Sequence, residues 1–132
     1  MKSSPVIVYK DIPHIEDEGK SIKNKSYLYF KVSDEQGNSL TSVASKLIAD
    51  STSCYITYSD FDGLAQLSFD QSKITSTSYL EIVFKGFSKK RIPVASLKKE
   101  QLQFIQLKKG DSIVSEEAYK MYYFQIRSCW NW

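Results

Sequence analysis

Residues 59–69 read Ser-Asp-Phe-Asp-Gly-Leu-Ala-Gln-Leu-Ser-Phe, and the aspartates of Asp60-Phe61-Asp62-Gly63 are a first pair whose type and spacing invite chemistry. Two close carboxylates serve a calcium loop, a general acid/base pair or a chain reversal. A helix–loop–helix calcium site puts oxygen ligands at its first, third and fifth positions, glycine at the sixth and glutamate at the twelfth. With Gly63 as that glycine, Asp60 and Asp62 take the third and fifth positions, but the first falls on Tyr58 and the twelfth on Phe69. Neither supplies a carboxylate. A glycoside-hydrolysing pair must face one cleft, which two residues of a tight turn do not do. The remaining reading is a corner, with Asp60 accepting backbone N–H groups and Gly63 supplying a left-handed backbone.

Other chemistry-bearing residues are sparse. His14 is the only histidine, which removes multi-histidine metal sites and leaves no base for a serine or cysteine nucleophile beyond that one loop position. Cys54 and Cys129 form no CxxC and no Cys/His cluster; they are read equally as one disulfide or as two buried thiols. No phosphate loop or dinucleotide fingerprint is present. The expectation is a chain that is not an enzyme and holds no catalytic residue, metal or cofactor.

Two clusters remain for binding. From Lys85 to Lys109 eight Lys/Arg stand against the single acid Glu100, and Lys89, Lys90, Arg91, Lys98 and Lys99 form a candidate basic patch. Such a patch meets phosphate, anionic glycan or an acidic partner, though lysines also guard sheet edges. Near the C-terminus, Tyr123, Arg127, Trp130 and Trp132 are candidate partner or glycan contacts. The net charge of +3 is too small to argue for nucleic acid.

These residues must be positioned by short strands. The 132 residues suit one domain with its own core, and 14% aromatic content, nine of it Tyr, suits half-buried sheet faces. In SYLYFKVSD, alternation puts Leu28, Phe30 and Val32 on one face. SPVIVYKDI, TSVASKLIAD, SCYITYS, LAQLSFD, YLEIVFKGF, KKRIPVASL and LQFIQLKKGD read as further strands, with turns at DEQGNS and DFDG and a loop at QSKITSTS. Pro93 assigns its strand to an edge. In AYKMYYFQIRSCWNW the alternation puts Tyr122, Phe124 and Ile126 on one face of a last strand, while SEEAYKM is long enough for only one helical turn. The expected fold class is all-β: a seven- to eight-stranded antiparallel Greek-key sandwich.

Val32-Ser33-Asp34-Glu35-Gln36-Gly37-Asn38-Ser39-Leu40, then Ser42-Val43-Ala44, then Asp60-Phe61-Asp62-Gly63-Leu64-Ala65-Gln66-Leu67, then Leu80-Glu81-Ile82-Val83-Phe84-Lys85-Gly86-Phe87 follow the order of motifs in one family. The stretch resembles the carboxypeptidase regulatory-like domain family, whose fold is a transthyretin-like β-sandwich. The resemblance implies a single domain over 1–132, with 26–107 as its core and 1–25 and 108–132 as extra strands or partner-facing extensions. It implies a turn at the DxDG stretch and a non-enzymatic interaction or structural role, in bacterial and often cell-envelope settings. Among enzymes that share a transthyretin-like fold, 5-hydroxyisourate hydrolases and intradiol dioxygenases need more than one histidine, and His14 alone does not meet that need. A protein partner is expected, a glycan is the alternative, and nucleic acid is not expected. The start MKSSPVIVYKD lacks a signal-peptide core and no stretch is long enough for a transmembrane helix, so the chain reads as unexported, or periplasmic or surface-located if an export signal has been removed.

Overall fold

The computed structural model describes residues 24–126. Seven strands form two sheets: β1 (Lys25–Ser33), β2 (Ala44–Ile48), β3 (Cys54–Tyr58), β4 (Leu64–Asp70), β5 (Tyr79–Val83), β6 (Lys90–Pro93) and β7 (Leu102–Gln106). One helix, α1 (Glu116–Gln125), follows them. The three-stranded sheet has the order β4-β1-β7 and the four-stranded sheet the order β3-β2-β5-β6. The expected strand SPVIVYKDI lies outside the described residues.

Alternation decides which side chains meet. On β1, Leu28, Phe30 and Val32 face inward, and register sets Leu67 of β4 opposite Leu28 and Ile105 of β7 opposite Val32. From the other sheet Val43, Leu47, Leu80 and Ile82 close over them, all buried. Phe30 and Phe69 are the largest fully buried side chains of this layer. Ser45 shares the inward side of β2, and its hydroxyl is buried with no hydrogen-bond partner among the described residues.

Two expectations are corrected. The pairing is not all antiparallel: β1 and β7 run parallel, Tyr29 facing Leu102 and Ser33 facing Gln106. A parallel neighbour needs a long crossover, and the chain between Ser33 and Leu102 supplies it. The last strand is a helix instead. Ser115 caps α1 by accepting from the Ala118 N–H, and Glu116 and Glu117 occupy the positive first turn. Ala118, Lys120 and Met121 are strong helix formers. The aromatic run that alternates at period two also repeats at three and four, so Tyr119, Tyr122 and Ile126 fall on one helical face.

The Asp60–Gly63 stretch is a corner. Asp60 Oδ1 accepts from the Asp62 and Leu64 N–H groups, both at 2.9 Å, and the Gly63 N–H donates to the Asp60 carbonyl. Gly63 has φ +79°, and a Cβ there would stand 2.6 Å from the Val32 carbonyl oxygen. The Asp34–Gly37 turn repeats the device, with Asp34 Oδ1 accepting from Gln36 and Asn38.

Candidate functional site: the helix-covered face of the four-stranded sheet

The same alternation that sends Leu47, Leu80 and Ile82 inward sends Ala44, Lys46 and Ile48 of β2 and Tyr79, Glu81 and Val83 of β5 outward. This outer face carries α1. Tyr119 and Ile126 pack on Ala44 and Val83, with Ile56, Tyr58 and Val114 alongside. The Tyr119 hydroxyl donates to the carbonyl of Ser42, a residue held at φ +65° whose N–H donates to Ser59. The Tyr119 ring meets Phe84 edge-on, with centroids 5.5 Å apart.

Beside the helix the layer turns polar. Register places Lys46, Glu81 and Arg91 in one row across β2, β5 and β6. Lys46 and Glu81 are only 4% and 6% exposed. The Arg91 Nε donates to Glu81 Oε2 at 2.7 Å, and its guanidinium lies 5.2 Å from the Tyr79 ring centroid. Lys89 Nζ stands 3.9 Å from the same oxygen. From above, the Tyr122 hydroxyl donates to Glu81 Oε1 at 3.0 Å. Both oxygens of one buried carboxylate are therefore engaged, as burying a charge requires.

Electrostatics follow from that packing. Burial, then the neighbouring Glu81 carboxylate, holds the Tyr122 phenol far above its ordinary pKa. Burial draws the Lys46 pKa down while Glu81 opposes the shift. The hydrogen bond to Glu81 raises that of Arg91. Between Lys46, Glu81, Arg91, Lys89, Tyr122 and Gln125 lies a cavity of about 120 Å³. Such a space admits one functional group, since pockets for whole small-molecule ligands run to roughly 300–1,000 Å³.

The predicted basic patch is divided. Lys89 and Arg91 line this cavity, while Lys90 points to the other sheet and donates to the Gln106 carbonyl at 3.3 Å. Lys98 and Lys99 are exposed in the loop before β7, where the Lys98 backbone exchanges hydrogen bonds with the Gln103 amide. Of the aromatic set, Tyr123 lies on α1, 44% exposed, with its ring 5.0 Å from that of Tyr58. Arg127, Trp130 and Trp132 lie outside the described residues. Cys54 is disulfide-bonded; the only other cysteine in the sequence, Cys129, is also outside them.

Sequence reasoning missed Lys46, Glu81 and Tyr122. A signal was present, because Lys46 and Glu81 interrupt the apolar strands ASKLI and YLEIV on the same outward phase. Only register shows that they are opposite one another. On its solvent side α1 presents Met121 and Phe124, 56% and 81% exposed and three residues apart. Among the described residues no three His, Cys, Asp or Glu side chains gather in a group suited to a metal ion, and no helix is long and apolar enough to cross a membrane. No family model matches the chain, and neither the curated proteins nor the solved structures contain a match.

Proposed function

We propose that this chain is a non-enzymatic interaction module that docks a protein partner on the exposed side of α1. The observation that carries the reading is the Met121–Phe124 stripe. Large apolar side chains three apart on a helix form one surface, and this helix is fixed from beneath by Tyr119, Tyr122 and Ile126. A rigid, already ordered aromatic anchor loses little entropy on binding and is a common centre of interface energy. Tyr123 extends the surface at its edge. On motif order alone, we also place the fold with the transthyretin-like sandwiches of carboxypeptidase regulatory-like domains, with Greek-key connections and a cell-envelope setting.

The test is a photocrosslinking amino acid at position 124 in the native cells, with a control at exposed Thr52 on the β2–β3 turn. One discrete protein adduct at 124 and none at 52 is expected. With the adduct identified by mass spectrometry and both proteins purified, Phe124→Ala should weaken binding by about tenfold or more. No adduct at 124, or equal labelling at both positions, defeats the reading. A saturable tryptophan-fluorescence change with a polysaccharide and no protein adduct would move it to glycan binding.

A further inference from the structure

The cavity beside α1 has a composition that the docking stripe does not explain. Its rim carries two cations, Arg91 and Lys89, and both lean on one carboxylate, Glu81. Arg91 spends only its Nε there; its terminal guanidinium nitrogens have no hydrogen-bond partner among the described residues. The Nε bond and the Tyr79 ring 5.2 Å away together restrain the guanidinium, leaving its outer fork for a further partner. Lys89 holds Glu81 at ion-pair distance and makes no hydrogen bond with it. Its ammonium protons remain available. Gln125 adds an amide from the helix.

We propose that this cavity receives a carboxylate of the protein partner, an Asp or Glu side chain from a segment lying across α1. The inference rests on the docking reading above and names the partner's chemistry. Size selects a single functional group over a whole small-molecule ligand. Charge selects an anion, because the rim cations outnumber Glu81, and a planar fork with a nearby ammonium matches the two oxygens of a carboxylate. The same Glu81 weighs against phosphate. It is nearly inaccessible to solvent and sits within the cavity wall, so a second negative charge on the ligand meets strong repulsion at low local dielectric. Position completes the argument. Around a helix of 3.6 residues per turn, Gln125 falls between Met121 and Tyr122, so the apolar stripe and the cavity mouth are continuous. A partner covering Met121 and Phe124 thus borders Gln125, the helix residue that lines the cavity beside Arg91. The apolar stripe supplies burial, and the carboxylate sets register and excludes basic partners.

The test titrates the full chain at constant ionic strength with N-acetylglutamate α-amide, the neutral N-acetylglutamine α-amide and inorganic phosphate. The readouts are the Arg91 Nε–H and Gln125 side-chain amide NMR signals. Saturable shifts with the glutamate probe in the millimolar range are expected, with binding at least about tenfold weaker for the glutamine probe. Arg91→Gln should abolish the shift at Gln125. Lys89→Gln, at an exposed side chain, should weaken binding severalfold and serves if Arg91→Gln does not fold. Equal response to glutamate and glutamine probes, no saturation with any probe, or tighter binding of phosphate than of the carboxylate each overturns the proposal. Failure here leaves the position-124 crosslink intact, whereas loss of that crosslink with carboxylate binding retained removes the docking reading alone.

Discussion

The two faces of the four-stranded sheet are built on opposite terms. The inner face is apolar at its centre: Leu47, Leu80 and Ile82 interlock with Leu28, Phe30 and Phe69, and the buried Ser45 hydroxyl among them has no hydrogen-bond partner among the described residues. The outer face, under α1, mixes Ala44, Val83 and Tyr119 with a buried row of Lys46 and Glu81 that Arg91 and Tyr122 complete. Burial of apolar area stabilises the first without regard to direction. Each partner in the second is specified, because a buried carboxylate left alone is costly. The inner layer therefore holds the fold, and the outer layer orients side chains.

That contrast can be broken by measurement. Phe30→Ala should cost about 4 kcal/mol of unfolding free energy in urea titrations, since Phe30 is wholly buried and its removal leaves a cavity. A loss below about 1 kcal/mol would mean that the inner layer is not the stabilising one. Glu81→Gln should cost about 2 kcal/mol, through the weakened Arg91 contact and the loss of an ionised acceptor for Tyr122. Adding Tyr122→Phe should cost less than the separate losses predict, because both changes act on one network. Full additivity would dissolve the network.

Alkaline pH sharpens the comparison further. The unfolded chain releases the Tyr122 proton near the ordinary phenol value of 10.0, whereas the folded chain retains it well beyond. The unfolded state thus binds fewer protons above that pH, and stability falls as pH rises. Groups facing Tyr122, namely Glu81, Arg91 and Tyr79, are common to wild type and Tyr122→Phe, so the difference between their stability–pH curves isolates the phenol. The wild-type curve should descend more steeply above pH 10.0, and parallel curves would show that Tyr122 is not protected. The smallest expected effect has the opposite sign: Ser45→Ala should raise stability by about 1 kcal/mol by removing an unsatisfied buried hydroxyl. A loss of that size would reveal a partner for it.

The inner layer was legible in the sequence because its information is local. Alternation in SYLYFKVS and LAQLSFD places Leu28, Phe30, Leu67 and Phe69 without knowledge of topology. Asp60 and Gly63 announce a corner by their own backbone chemistry, and Pro93 announces an edge. The outer layer was not legible, because Lys46, Glu81 and Arg91 come from three strands and meet only through register. The helix was hidden by ambiguity. In Tyr119-Lys120-Met121-Tyr122-Tyr123-Phe124, apolar residues satisfy both a strand and a helix period, and the decisive cues were the Ser115 cap and the acids after it.

The parallel pairing between β1 and β7 also makes the three-stranded sheet the last to have all its strands as the chain is synthesised. The strands of the four-stranded sheet are all synthesised by Pro93, so it can form from neighbours already made. Its three-stranded counterpart lacks a strand beside β1 until β7 (Leu102–Gln106) has been made. Pairing this remote raises contact order and slows the closing step. Until then Val32 of β1 lacks its neighbour Ile105, so closing this edge of the interior depends on one distant strand.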